Sequence, residues 1–230
     1  MISLLNDFME EHFGNMTLGP PLFYRWDYGI RFEIAIPWAN HEEPCNLREI
    51  QDRSIGIFER VFDDSDDIFL VTDIHCDASD TRLQHRPARI YPKYVKNKKR
   101  LRTLRHEVLP NLFGEDGEGQ EGNNEVTHRF VLLCRKNDLR YIPLLTAISY
   151  EDFRHPSQIL KRFPRSGIDI YLINKTKQMI YHLYDDRGCD VICAALDPLR
   201  PLYEEFNDWI LEYDREKIEG LFRPSCDVMT

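Results

Sequence analysis

The sequence predicts a single domain over residues 1–230 of the α/β type, more narrowly α+β, with helices flanking a mixed, largely antiparallel sheet. Apolar and polar residues alternate along 29–36, which is the period of a strand with one buried face. The segments 168–173 and 179–184 are apolar, of strand length, and joined by the polar residues 174–177. So short a connection between two strands is typical of an antiparallel hairpin.

The other elements follow from the same kinds of pattern. Apolar runs predict further strands at 68–74, 129–134 and 191–194. Apolar residues at helical spacing predict helices over 4–13, 46–61, 97–109 and 197–213, with a last helix after Asp214. Pro143 suits the first turn of a short helix over 143–148, where a strand is the alternative. Asn46 and Glu49 resemble a capping box at the start of the second helix.

Two details of packing follow from these elements. Leu202, Phe206 and Trp209 occupy one stripe of the helix over 197–213, so we predict that they are buried against the sheet. Residues 185–188 have the composition of a tight turn, in which we predict a positive φ for Gly188.

Charge is distributed unevenly along the chain. The net charge is −9, yet residues 81–106 contain ten Lys or Arg and no acid, which leaves 20 basic and 39 acidic side chains elsewhere. Residues 114–125 hold four glycines and five acids, and predict a mobile acidic loop. The acidic remainder favours attraction to a basic protein surface and opposes tight binding to nucleic acid.

The sequence also indicates a compartment. It has no basic, apolar leader at its start and no apolar run long enough for a membrane span. Its six cysteines form no C-x-x-C pair, so we expect reduced thiols, a cytoplasmic location and no membrane association. Glycine-rich dinucleotide and phosphate motifs are missing too, so we predict no cofactor.

The densest polar cluster is the predicted hairpin around residues 184–190. His182, Asp185, Asp186 and Arg187 are candidate catalytic residues, because histidine titrates near neutral pH and paired aspartates can orient it or hold a metal. The alternative is turn chemistry, since aspartate and glycine are the residues that such a turn needs. The sequence favours the turn.

A metal site is a further hypothesis for the end of the strand at 68–74. Asp73, His75 and Asp77 would share one face of an extended strand and supply oxygen and nitrogen ligands. The alternative, a polar strand end that runs into a loop, is the one that we favour. Arg31 and Glu33 share a strand face in the same way, and line a cleft or simply face solvent.

The basic segment 81–106 is the candidate nucleic-acid surface, because clustered cations with interleaved aromatics can contact phosphates and stack on bases. Tyr91 and Tyr94 are the interleaved aromatics. The candidate cations are Arg89, Lys93, Lys96, Lys98, Lys99 and Arg100. The alternative is a solvated helix face.

Two stretches carry a family resemblance. Residues 184–190 read Tyr-Asp-Asp-Arg-Gly-Cys-Asp, and 199–216 read Leu-Arg-Pro-Leu-Tyr-Glu-Glu-Phe-Asn-Asp-Trp-Ile-Leu-Glu-Tyr-Asp-Arg-Glu. Together with the strands at Arg31–Glu33 and 168–174, they resemble domain-of-unknown-function family 3885. The resemblance implies a bacterial protein and supplies no catalytic residues.

Three hypotheses of function remain, and the sequence leaves open whether the protein is an enzyme. The first is a non-enzymatic protein-binding module of the immunity or antitoxin type, with a partner that the sequence does not identify. The second is a metal-assisted hydrolase or nuclease that uses Asp73, His75 and Asp77, or the pair Asp185 and Asp186. The third is a nucleic-acid-binding regulator that uses residues 81–106.

Overall fold

The computed structural model describes residues 1–39, 43–80, 83, 90–112, 124–151, 159 and 167–223. Nearly all of the predicted acidic loop 114–125 lies outside the described residues, and so does Arg89. The strands are β1 (Gly29–Glu33), β2 (Asp67–Asp77), β3 (Arg105–Pro110), β4 (Glu125–Arg135), β5 (Gly167–Asn174), β6 (Met179–Leu183) and β7 (Gly188–Cys193). The helices are α1 (Ile2–Phe13), α2 (Pro44–Val61), α3 (Ile90–Tyr94), α4 (Tyr141–Ser149), α5 (Arg200–Glu205) and α6 (Arg215–Phe222).

The seven described strands form one sheet in the order β1-β7-β6-β5-β2-β4-β3. Each neighbouring pair is antiparallel, so the α+β prediction is confirmed and the sheet has no parallel pair among these strands. The long strands β2 and β4 pair over their whole lengths, from Asp67 opposite Arg135 to Asp77 opposite Glu125. Within the described ranges, no helix is both long and apolar enough to cross a membrane.

The two faces of the sheet are covered differently. One face packs on α2, α4, α5 and α6, and forms a core with residues such as Ile57, Phe58, Leu145 and Leu202. The other face packs on α1, whose Leu5, Phe8 and Phe13 form a second apolar cluster with residues near one end of the strands. Because side chains alternate between faces along a strand, the central strands β2, β4, β5, β6 and β7 contribute residues to both clusters.

The helix predicted over 97–109 is wrong. Residues Lys98–Thr103 form a 3-10 turn, and β3 begins at Arg105. Leu101 and Leu104 do pack against the core, as their spacing suggested. From Arg105 onward, however, pairing with β4 replaces helical hydrogen bonds, and a pattern of three apolar residues cannot reveal that competition.

The helix predicted over 197–213 is broken into short pieces. Helix α5 ends at Glu205, and Ile210 is extended and bridges to Phe32 of β1. The amide of Leu211 then donates to the carbonyl of Arg31 at 3.0 Å. Binding to the edge of β1 therefore interrupts a segment whose apolar spacing is helical.

The predicted burial of this segment is partly correct. Leu202 and Phe206 are buried, whereas Trp209 is half-buried and stacks on Phe206 with ring centroids 4.6 Å apart.

The capping box predicted at Asn46 is wrong, because α2 begins at Pro44 and the side chain of Asn46 accepts a hydrogen bond from the amide of Ile36 at 2.7 Å.

The positive φ predicted for Gly188 is wrong as well. Gly188 is the first residue of β7, opposite Glu33 of β1, and its φ is not in the left-handed region. It is glycine for a different reason: a Cβ there would lie 2.5 Å from the carbonyl oxygen of Phe32 and closer still to the hydroxyl of Tyr184. Close approach of the neighbouring strand, not turn geometry, therefore requires glycine.

We predict that Gly188→Ala destabilises the protein by about 1–3 kcal/mol, the usual cost of overpacking a buried site. The carbonyl of Phe32 belongs to a strand that is paired with β7, so moving it would disturb that pairing. Urea unfolding measures the effect. The matched control is Gly220→Ala in α6, where a Cβ meets nothing within 4 Å; the control should leave stability equal or slightly higher. Equal stability of the two variants would contradict the packing argument.

Candidate functional site

A cleft of about 920 Å³ opens beside the edge strand β1. Its wall and floor come from four places in the chain: β1 with the segment that follows it, the turn between β6 and β7, two prolines before β1, and Leu211. The lining residues are Pro20, Pro21, Arg31, Glu33, Ala35, Ile36, Pro37, Trp38, Ala39, Tyr184, Asp185, Arg187 and Leu211. These side chains are suited to packing, stacking and ion pairing. We call this feature the β1 cleft.

Arg31 on β1 is held by a buried carboxylate at the base of the β1 cleft. Its guanidinium donates to both oxygens of Asp190, at 2.7 and 3.0 Å, and the Asp190 side chain is fully buried. The two residues lie directly opposite each other on β1 and β7. Asp190 also accepts from the amide of Phe23 at 3.1 Å, so it fixes the segment before β1 as well.

Aromatic rings surround the same guanidinium. The Arg31 Cζ lies 4.7 Å from the ring centroid of Tyr24, 5.6 Å from that of Phe23 and 5.7 Å from that of Tyr184. Distances below about 6 Å are those of cation–π contacts. The hydroxyl of Tyr24 donates to Asp214 at 2.9 Å, and Asp214 lies 3.9 Å from Arg31. Arg31 is thus fixed by two acids and by three aromatic rings.

The turn between β6 and β7 supplies one wall of the cleft. Asp185 accepts from the amide and from the Nε of Arg187, each at 2.7 Å, and also from its terminal guanidinium nitrogen. The carbonyl of Arg187 accepts from the amide of Ile34, which ties the turn to the end of β1. Asp185 thus has the turn role that the sequence favoured, although Gly188 does not. The turn also lies at the cleft: Asp185 and Arg187 line it, whereas Asp186 is buried and does not.

Trp38 forms part of the outer wall, in the segment after β1. Its side chain is fully exposed, with a relative accessibility of 103%. Its φ of 65° places the backbone in the left-handed region, which is strained for a residue other than glycine. A large apolar ring in full contact with water, on a strained backbone, is a feature that packing among the described residues does not explain.

The comparisons with known proteins identify the family of this chain. A family model described as a domain of unknown function (DUF3885) matches residues 5–214. The chain belongs to the DUF3885 family. Over 211 residues it is 33% identical to the protein titled "Uncharacterized protein YnaE" of Bacillus subtilis (strain 168), across 90% of this chain and 96% of that one. No solved structure matches.

The stretches that suggested the DUF3885 family from sequence meet at the β1 cleft. Arg31 and Glu33 come from one stretch, and Tyr184, Asp185 and Arg187 from another. They are more than 150 residues apart in the chain, and the pairing of β1 with β7 brings them together. Arg31 and Glu33 therefore line a cleft in the DUF3885 fold, which was one of the two alternatives that the sequence left open.

His182 does not line the β1 cleft; it belongs to a polar row that crosses the sheet on the α1 face. The row occupies positions beyond the apolar residues on which α1 packs. Its members are Arg31, Asp190, His182, Asp169, His75, Asp73 and Arg129. The sequence singled out some of these residues. The structure places them side by side in three hydrogen-bonded groups: Arg31 with Asp190, Asp169 with His182 and His75, and Asp73 with Arg129.

Asp169 on β5 bridges two histidines in this row. Its two oxygens accept from the Nε2 of His182 at 3.1 Å and from the Nε2 of His75 at 3.0 Å. An ionised carboxylate can only accept, so both rings carry a proton on Nε2. His75 Nδ1 is 2.9 Å from the hydroxyl of Thr127, whereas the buried Nδ1 of His182 has no hydrogen-bond partner among the described residues. Burial opposes ionisation of Asp169, but these two hydrogen bonds lower its pKa to about 2.

The three metal-ligand candidates on β2 are used in other ways. Asp73 is fully buried. Its carboxylate accepts hydrogen bonds from the Nε and from a terminal nitrogen of Arg129, at 2.8 and 2.6 Å. His75 binds Asp169, and the exposed Asp77 accepts from the amide of Ser79 at 2.8 Å. In the part of the chain that the structure describes, no three His, Cys, Asp or Glu side chains are grouped so as to hold a metal ion.

The candidate nucleic-acid residues that the structure describes lie on the surface near the opposite edge of the sheet. Lys93, Lys96, Lys98 and Lys99 are exposed, and Arg100 is half-buried beside Asp138. Tyr91 and Tyr94, which suggested base stacking, are instead buried in the core. Only the charged part of the sequence hypothesis is therefore available at the surface.

Sequence reasoning missed several residues that build these sites. Trp38 has no periodic pattern around it, so nothing in the sequence distinguishes it from a core residue. Asp169 and Asp190 could have been identified from the sequence, because each is an acid inside an otherwise apolar strand. Such an acid needs a partner on a neighbouring strand, but the sequence does not reveal which one.

We predict that Arg31→Gln destabilises the protein by about 3–5 kcal/mol, because it leaves the buried carboxylate of Asp190 without its charged partner. Chemical denaturation measures the loss. The matched control is Arg60→Gln, which removes an exposed ion pair with Glu205 and should cost less than about 1 kcal/mol. Adding Asp190→Asn to Arg31→Gln should recover part of the stability; an unchanged or lower stability of the double variant would contradict the pairing argument.

We predict that Asp169 contributes to an acid-induced loss of stability. Its pKa is about 2 in the folded protein against an ordinary 3.8, so its contribution of about 2 kcal/mol is complete above about pH 4 and is lost as the pH falls toward 2. Unfolding free energies between pH 6 and 2 should therefore fall less steeply in Asp169→Asn than in the wild type. The control, Asp208→Asn at an exposed position, should follow the wild type. Parallel curves for wild type and Asp169→Asn would disprove the assignment.

Proposed function

We propose that this protein is a non-enzymatic binding module for a basic protein partner, of the immunity or antitoxin type, and that the β1 cleft is its contact surface. The observation that carries the proposal is the fully exposed ring of Trp38 at the cleft. Interfaces between proteins draw most of their binding energy from a few residues, chiefly tryptophan, tyrosine and arginine. The β1 cleft presents all three types.

The cost of the Trp38 conformation supports a role in binding. A left-handed backbone at a non-glycine residue costs about 1–3 kcal/mol, and exposure of the indole forgoes the gain from burying it. Both costs are offset if a partner covers the ring. More exposed aromatic surface lies close by, since Tyr24 packs on Arg31 and Tyr213 precedes the Asp214 that binds Tyr24.

The charge around the cleft favours a basic partner. The charged side chains that line the cleft or contact Arg31 are two arginines and four acids, namely Arg31, Arg187, Glu33, Asp185, Asp190 and Asp214. Both arginines are already bound to aspartates, and among the described residues the carboxylate of Glu33 has no partner. The net negative charge of the chain outside 81–106 would steer a basic protein toward this surface.

The proposed location is the cytoplasm. Cys45, Cys76, Cys134, Cys189 and Cys193 are free thiols. Burial raises the pKa of the thiols of Cys134, Cys189 and Cys193, which keeps them protonated and unreactive. Free thiols are typical of proteins that work in a reducing compartment.

The products of the genes next to the one that encodes this protein are the partners to test, because immunity and toxin genes are commonly adjacent. We predict that a basic product binds the immobilised protein in surface plasmon resonance. Trp38→Ala should weaken that binding about 30-fold, the effect of losing about 2 kcal/mol at a dominant interface residue. Association should slow as salt rises from 50 to 500 mM, because exposed charges are screened over about 10 Å at 0.1 M.

The matched control is Ile142→Ala, which truncates another exposed apolar side chain on α4, outside the cleft. It should leave the affinity within about twofold of the wild type, as expected for a residue outside an interface. Thermal unfolding of both variants shows that each is folded. Binding that Trp38→Ala leaves intact, or failure of every basic neighbouring product to bind, would rule out the proposed surface.

A further inference from the structure

A positively charged surface lies near β3, at the edge of the sheet opposite the β1 cleft. It is formed by α3, the 3-10 turn that follows, the start of β3 and the residue before α4. We call it the basic surface; its cations are Lys93, Lys96, Lys98, Lys99, Arg100, Arg102, Arg105 and Arg140. Apart from Arg100, which is half-buried, all of them are exposed. Eight cations on a protein with a net charge of −9 indicate a local function.

Asp138 contacts three residues of this surface. Asp138 accepts from the side chain of Asn97 at 3.3 Å and lies 3.3 Å from the Nε of Arg100. Its carbonyl accepts from the amide of Lys96 at 2.7 Å. The side chains of Lys96, Lys99 and Arg102, by contrast, have no hydrogen bond or ion pair with any described residue. The acid therefore fixes the backbone of the turn, and these three cations are left available.

The fold extends the basic surface beyond the basic segment of the sequence. The amide of Arg140 donates to the carbonyl of Tyr94 at 2.7 Å, and its guanidinium donates to the carbonyl of Lys93 at 3.2 Å. Arg140 thereby joins cations that are more than 30 residues away in sequence. The result is a surface that gathers cations from both segments around the carboxylate of Asp138, which pairs with Arg100.

The position of the aromatic residues decides how such a surface can bind. Tyr91 is fully buried and donates its hydroxyl to the carbonyl of Phe130 at 2.8 Å, and Tyr94 is buried beside it in the core. Neither ring can stack on a base, which single-strand binding proteins require. The cations are left to contact phosphates, and phosphate contacts carry no sequence information.

We propose that the basic surface binds the sugar-phosphate backbone of double-stranded nucleic acid without sequence preference. Duplex DNA carries about one negative charge per 1.7 Å and no positive charge, which suits a dense group of cations. Acidic protein surfaces interleave both signs, as this chain does elsewhere. The acidic remainder of the protein repels the duplex and confines contact to this surface.

This inference is independent of the proposed function. The β1 cleft lies at one edge of the sheet, and the basic surface lies beyond β4 and β3 at the other edge. Seven strands with spacings of about 4.8 Å separate the two edges by about 29 Å. A partner at the cleft therefore leaves the basic surface accessible, and either proposal can fail without the other.

The test is fluorescence anisotropy with a labelled 20-base-pair DNA duplex of arbitrary sequence. The wild type should bind at 50 mM salt, and the logarithm of its affinity should fall linearly with the logarithm of the salt concentration. The triple variant Lys96→Ala, Lys99→Ala and Arg102→Ala should bind at least tenfold more weakly. Its salt slope should be smaller by about 0.9 for each phosphate contact removed.

The matched control is the triple variant Arg48→Ala, Lys217→Ala and Arg223→Ala, which removes the same charge from exposed positions on or next to α2 and α6. It should retain the salt slope of the wild type. Three results would overturn the proposal: no binding of duplex at 50 mM salt, an equal loss in both triple variants, or tighter binding of a single strand than of the duplex. Displacement of the duplex by poly-glutamate at equal charge concentration would also overturn it in favour of an acidic protein.

Discussion

Buried carboxylates on the α1 face of the sheet must be paired, and the architecture around both edges depends on that constraint. Asp73 and Asp190 are completely buried, where an unpaired negative charge would cost several kcal/mol. Each meets an arginine that lies directly opposite on the neighbouring strand, Arg129 on β4 and Arg31 on β1. A shift of one residue in either pairing would turn the partner to the other face, so the ion pairs and the strand register support each other.

The constraint determines what the β1 cleft can present. Because Asp190 holds Arg31 by two hydrogen bonds, the guanidinium has a fixed position and orientation beneath the cleft. The rings of Tyr24 and Tyr184 are placed by their contacts with it. The positive charge at the base is thus compensated. The groups that remain for the proposed partner are the ring of Trp38 and the carboxylate of Glu33, which has no partner among the residues that the structure describes.

The same fold separates the charges of the molecule. Pairing of β1 with β7 brings acids and compensated arginines to one edge, and the link between Asp138 and residues 96–100 gathers cations near the other. Segregation of this kind gives one chain two surfaces of opposite charge, on which the two proposals rest. For the same reason the net charge of −9 does not describe the local charge of either surface.

The strands could be predicted well from the sequence, and the helices less well. The strands from β4 to β7 are rich in apolar residues, and their central positions are buried on both faces. Their sequence pattern therefore indicates a strand whichever strands lie beside them. The failures occur where a segment has helical spacing but finds a strand to bind. Residues from Arg105 pair with β4, and Ile210 bridges to Phe32, and in both cases the partner is distant in sequence.

What the sequence determined by itself was the class of fold, the family, the segregated basic segment and the polar residues of the turn at 184–190, because each is a property of neighbouring residues. Only the tertiary structure decided what those residues contact. It made Gly188 a site of close approach instead of a left-handed turn, buried Tyr91 and Tyr94, and exposed Trp38. The physical reason is that burial, register and the partner of a charge are set by strands that lie side by side in the sheet and far apart in the chain.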